Sequence, residues 1–112
     1  MEDWADLVAF ALNLPGVVIA SHYGHPVPKK NGRAIVAPGR EAGSFCLMVS
    51  TDEKQLLLDT DPDTFWQTDH YRNYPAILVR YGRSRARVET GVRRSWWDLC
   101  SPPERRAHGP RP

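Results

Sequence analysis

Apolar positions recur at helical spacing from the start of the chain. Trp4, Leu7, Val8, Ala11 and Leu12 fall on one face, with Asp3 placed to cap the first turn. Leu14-Pro15-Gly16 closes that helix, because a proline disfavours helical geometry at the residue before it and brings no amide donor. The β-branched run Val17-Val18-Ile19-Ala20-Ser21 predicts a strand. The next stretch, His22 to Lys30, carries Gly24, Pro26 and Pro28, which speaks against a long central strand. Asn31-Gly32 is a two-residue hairpin signal, since a type I′ turn needs positive φ at both central positions. Arg33 to Ala37 should return from it. Pro38-Gly39 opens a polar loop, and Ser44 to Val49 reads as a further strand.

Ser50 with Glu53 forms a capping box for a helix running to about Asp59, anchored by Leu56 and Leu57. Asp61 to Phe65 reads as a turn or a short helical turn, and residues 66 to 75 as aromatic-rich and irregular. Ala76 to Tyr81 is the clearest strand. Ser84 should cap a last helix with Val88, Val92, Trp96 and Leu99 on one apolar face, stopped by Pro102-Pro103. The order is helix, three or four antiparallel strands, helix, strand, helix. It predicts an α+β, two-layer domain: an antiparallel sheet with helices packed over one face. Residues 1–103 form that single domain, and 104–112, rich in arginine and proline, a disordered basic tail.

Composition narrows the class. A chain of 112 residues suits one domain, and 41% hydrophobic with 25% charged residues is ordinary for a soluble protein. The longest apolar run, Ala76 to Val79, is far short of the ~20 residues of a membrane span, so no membrane partner is expected. Glu2, Asp3 and Asp6 stand where a secretory leader would be basic, which points to the cytoplasm. There Cys46 and Cys100, far apart in sequence, read as two small buried side chains. Charge is uneven. Six acids between Asp52 and Asp69 face Lys54 alone, whereas nine arginines follow from Arg80 onward. A polyanion partner is compatible with that basic segment.

No arrangement resembles a catalytic or metal centre. His22 and His25 lie in a loop without the further ligands zinc needs. Asp59-Thr60-Asp61-Pro62-Asp63 begins like a calcium loop, but Thr64 replaces the turn glycine and His70 the bidentate glutamate. Gly39 to Gly43 lacks the ending of a phosphate loop, and no Gly-x-Ser-x-Gly elbow is present. Catalysis, metal and cofactor are therefore not expected. The most suggestive stretch interleaves rings and cations, Trp66, His70, Tyr71, Arg72, Tyr74 and Arg80, as single-strand binders do.

Several segments in this order resemble the MmcQ/YjbR family. They are Leu12-Asn13-Leu14-Pro15-Gly16, Ser21-His22-Tyr23-Gly24-His25-Pro26, Asn31-Gly32-Arg33, Leu56-Leu57-Leu58 and Asp61-Pro62-Asp63-Thr64-Phe65. His70-Tyr71, Tyr74-Pro75-Ala76 leading into the Ile77 to Tyr81 strand, and Ser95-Trp96-Trp97 complete the pattern. Pro28 and Lys30 stand where the family usually has an aromatic and an aliphatic residue. The strand before the hairpin is therefore expected to be short or peeled from the sheet. The resemblance implies a double-wing, YjbR-like fold, also likened to secretion chaperones, and a non-enzymatic DNA-binding role.

Two functions follow. In a nucleic-acid-binding module, Lys29, Lys30, Arg33, Arg72, Arg80 and Arg83 would meet phosphates, with Tyr23 and Tyr71 as stacking groups. Lys29, Lys30 and Arg33 would then flank a hairpin presented as a wing. In a protein-interaction or adaptor domain, exposed aromatics and a sheet edge freed by Pro28 would meet a protein partner.

Overall fold

The computed structural model describes residues 2–39, 43–83 and 85–100, apart from the side chain of His70. The expected Ser84 cap and the 104–112 tail lie outside the described residues. Helix α1 (Trp4–Leu12) starts where Asp3 accepts from the Asp6 amide at 2.9 Å, and buries Leu7 and Ala11, one turn apart. It gives way to β1 (Val18–His22), β2 (His25–Lys30), β3 (Arg33–Ala34), β4 (Val36–Pro38) and β5 (Ser44–Met48). Helix α2 (Thr51–Thr60), β6 (Phe65–Trp66), a 3₁₀ turn (Asp69–Tyr71), β7 (Ala76–Arg80) and α3 (Arg85–Cys100) complete the domain.

The strands form two antiparallel sheets where the sequence predicts one. The order is β1-β2-β3 in the first and β4-β5-β7-β6 in the second. The proline stretch, expected to be short or peeled from the sheet, is in fact β2, a six-residue strand central in its sheet. It tolerates its prolines through register. His22–His25, Ala20–Val27 and Val18–Lys29 face each other across the β1–β2 ladder, with Pro26 and Pro28 at the alternate positions. Those alternate positions turn their backbone groups away from β1, so neither proline withholds a donor from that ladder. On its other side Pro28 only has to accept, taking the Ile35 amide at 3.0 Å. The Ile35 carbonyl, offered no amide by Pro28, accepts instead from Met48 at 3.0 Å. The chain passes from one sheet to the other at that residue.

Alternation across the second sheet separates two cores. Phe45, Leu47, Phe65, Ile77 and Val79 point to one side, where Leu7 of α1 and Val88, Val92 and Leu99 of α3 meet them. Leu57 and Leu58 of α2 pack against the same cluster, so all three helices cover one face. Cys46, Ala76 and Leu78 point to the other side and are covered by Tyr71, Val27 and Ala34. Each fully buried aliphatic or aromatic side chain contributes about 1.5–3 kcal/mol.

One helical expectation needs correction. Leu56 is no anchor, being 55% exposed; the buried residue of α2 is Lys54. Helix α3 lays its Val88, Val92 and Leu99 face over the sheet, against Leu47 of β5 and Ile77 and Val79 of β7. Gly91 permits that approach, since a Cβ there would sit 3.0 Å from Leu47 Cδ2. The indole of Trp96 donates to the Pro15 carbonyl at 2.8 Å, tying α3 to the exit of α1.

Candidate functional site

The eight residues singled out as contacts lie on different elements, and Tyr71 is buried. Lys29, Lys30 and Arg33 lie on the β2–β3 hairpin as expected, and Asn31 and Gly32 have the positive φ of a type I′ turn (54° and 78°). That hairpin is not a free wing. The Asn31 amide donates to the Leu99 carbonyl at 2.6 Å, docking the turn on the end of α3, and Lys30 Nζ occupies the space a Cβ on Gly16 would need.

Arg72 and Arg80 lie elsewhere, among the acids. Arg72 pairs with Asp69 at 2.6 Å, both exposed. Arg80 stacks 4.8 Å over the Trp66 ring and donates to the Pro62 and Asp63 carbonyls at 3.3 and 3.1 Å. Its guanidinium thus staples the 61–64 turn to the sheet. Arg83 is exposed beyond β7. Tyr71, at 7% exposed, is packed in the second core, so its ring offers no face for stacking. Tyr23 is the opposite case, 92% exposed.

Tyr23 marks the feature that sequence reading missed. Tyr23 and Gly24 both have positive φ (51° and 84°) and join His22 to His25 as a second two-residue hairpin. Gly24 hinted at it, but a tyrosine is an unusual occupant of the left-handed region, which normally falls to Gly, Asn or Asp. Between this hairpin tip and the 71–76 segment runs a groove of about 410 Å³. His22, Tyr23 and His25 line one wall, and Tyr71, Tyr74, Pro75 and Ala76 the other. Ala37, Pro38, Cys46 and Met48, from β4 and β5, also line it. Three of the stretches that carry the family resemblance therefore meet here, although about fifty residues separate the first from the others.

The electrostatics of the groove come from a few groups. Burial, then Lys29 and His25, hold the His22 imidazole below its ordinary 6.5. Burial pushes the Cys46 thiol up to about 11, against a hydrogen bond from Tyr71 and the charge of Lys54. A thiol in that state is neutral and unreactive near neutral pH.

Lys54 holds one wall in place. It is 4% exposed, and its ammonium donates to the carbonyls of Tyr71 (2.5 Å), Arg72 (3.2 Å) and Tyr74 (2.9 Å). Three donors meet three acceptors where the chain leaves the 3₁₀ turn. Burial lowers its pKa. The available signal was its spacing: Lys54 precedes Leu57 and Leu58 by three and four residues, which puts it on the inward face of α2.

Among the described residues no helix is long and apolar enough to cross a membrane, and no three His, Cys, Asp or Glu side chains gather as a metal site would require. No protein-family model matches the chain, and no curated protein or solved structure does so.

Proposed function

We propose that this chain is a non-enzymatic protein-interaction domain of the MmcQ/YjbR, double-wing type, and that it binds its partner along the groove beside the Tyr23 hairpin. Tyr23 carries the reading. Its ring is almost wholly exposed and its backbone is held at a φ of 51°, a conformation that disfavours a bulky side chain. The fold gains little from an aromatic at that point, and strain of this kind concentrates at functional positions. Tyr74, 52% exposed on the far wall, is a second exposed ring. Tyrosines with one apolar and one polar end are preferred anchors in protein interfaces.

The nucleic-acid reading finds partial support in the same rings and in Lys29, whose charge reaches His22. Against it, Arg80 is committed to the 61–64 turn, Arg72 is paired with Asp69, and Tyr71 is buried. A non-enzymatic role accords with a Cys46 thiol pushed up to about 11, the reverse of an activated nucleophile.

The test is selection of the full chain against a displayed peptide library, run beside single- and double-stranded oligonucleotides over a salt series. Selected peptides should lose about tenfold or more in affinity to Tyr23→Ala and to Tyr74→Ala. Salt-steep binding to oligonucleotides alone, unaffected by either change, would refute the proposal.

A further inference from the structure

We infer that the groove takes a segment of a partner protein in which an aromatic or aliphatic side chain stands beside a carboxylate, with His22 and His25 seating the carboxylate. The inference rests on the protein-interaction reading above and adds the chemistry of the partner.

His22 and His25 are the last cross-strand pair of the β1–β2 ladder, and both line the groove. Paired residues on one face have Cβ atoms about 5 Å apart, a span that one carboxylate can bridge with its two oxygens. Strand alternation puts Lys29 on the same face of β2 as His25, and its charge reaches the His22 ring. Tyr23 meets that ring edge-on at 4.7 Å between centroids. From the opposite wall the titratable groups among the described lining residues are Cys46, Tyr71 and Tyr74. Cys46 is uncharged near neutral pH, since burial raises its thiol to about 11. Beneath them Lys54 adds a fixed positive charge, felt at Cys46.

Among the described residues that line the groove there is no carboxylate. The charged side chains that act on His22 and Cys46 are Lys29 and Lys54, both cationic. Such a groove favours an acidic segment and disfavours a basic one. Its Ala37, Met48 and Ala76 surface is apolar and adaptable, which suits the stem or ring that accompanies the carboxylate. A bound carboxylate draws protons onto the two imidazoles, so the complex tightens as pH falls.

The experiment uses the full chain and three synthetic peptides with a central leucine or phenylalanine, flanked by glutamate, glutamine or lysine. Anisotropy titrations are run at about pH 5.5 and about pH 7.5, either side of the ordinary histidine range. The glutamate peptide should bind about tenfold or more tighter than the lysine peptide, and tighter at the lower pH. The His22→Gln/His25→Gln double variant should lose both differences, and its thermal unfolding should match the parent because both side chains sit at a hairpin end. Equal binding of all three peptides, or a pH gain that survives in the double variant, overturns the carboxylate seat and leaves the groove as a protein site. Failure of every peptide, with oligonucleotide binding that depends on Tyr23, overturns both readings together.

Discussion

Lys54 Nζ donates to the Tyr74 carbonyl at 2.9 Å, bridging α2 to the loop that enters β7. The same ammonium satisfies the Tyr71 and Arg72 carbonyls, so one buried side chain organises a wall of the groove. Lys54→Met keeps the stem and removes the three donors. We expect a loss of about 2–4 kcal/mol, from carbonyls left without a partner in a buried setting. Urea unfolding reads the loss, and hydrogen exchange should show faster opening of amides near 71–76 than of those in β5. Unchanged stability in the methionine variant would mean that the carbonyls find water at no cost.

Tyr23 should behave in the opposite way. Asparagine adopts positive φ more readily than tyrosine, so Tyr23→Asn should stabilise the fold by about 0.5–1 kcal/mol. Partner binding should fall in the same variant. A stability gain coupled to a binding loss separates a functional residue from a structural one, and a stability loss would show that the ring supports the hairpin.

Leu78 lies at 0% exposure in the core beneath the groove, on the internal strand β7. Leu78→Ala should cost about 2–5 kcal/mol through lost burial and the cavity left behind. Chemical denaturation of the two proteins measures it directly. A cost below about 1 kcal/mol would place Leu78 outside the cooperative core.

Cys46 predicts an alkaline limb. Its thiol is raised by burial from an ordinary 9.0 to about 11, so the folded state holds the proton longer than the unfolded chain. The stability this represents is fully present below pH 9.0 and is lost as pH rises toward about 11, amounting to roughly 3 kcal/mol. Lys54, lowered by burial, acts with the opposite sign, adding stability as pH rises toward its ordinary 10.5. Comparison with Cys46→Ala isolates the thiol. The variant's denaturation midpoint should fall less between about pH 8 and about pH 10.5 than the parent's.

The elements legible in the sequence are those set by near neighbours in the chain. Asp3 and Ser50 cap their helices as read, because capping involves residues three apart. Asn31-Gly32 forms its turn, because that dipeptide tolerates positive φ at both positions. Ala76 to Arg80 is the internal strand that its continuous apolar run implied. Of the candidate contacts, only Tyr23 reaches the groove with an exposed ring.

Tertiary structure decided the rest. Whether Pro28 disrupts a strand depends on which neighbour its missing N–H would have faced, and that follows from the Tyr23-Gly24 register and the short β3. The split into two sheets follows from where the Ile35 carbonyl finds its donor, in Met48. Tyr71 reads in the sequence as a stacking group, and Lys54 as the lone cation among six acids. They are buried because each covers the other's segment across 17 residues of sequence. Local propensity is carried by the residue and its neighbours within about one helical turn. Burial is a property of the packed pair, and only the fold brings the pair together.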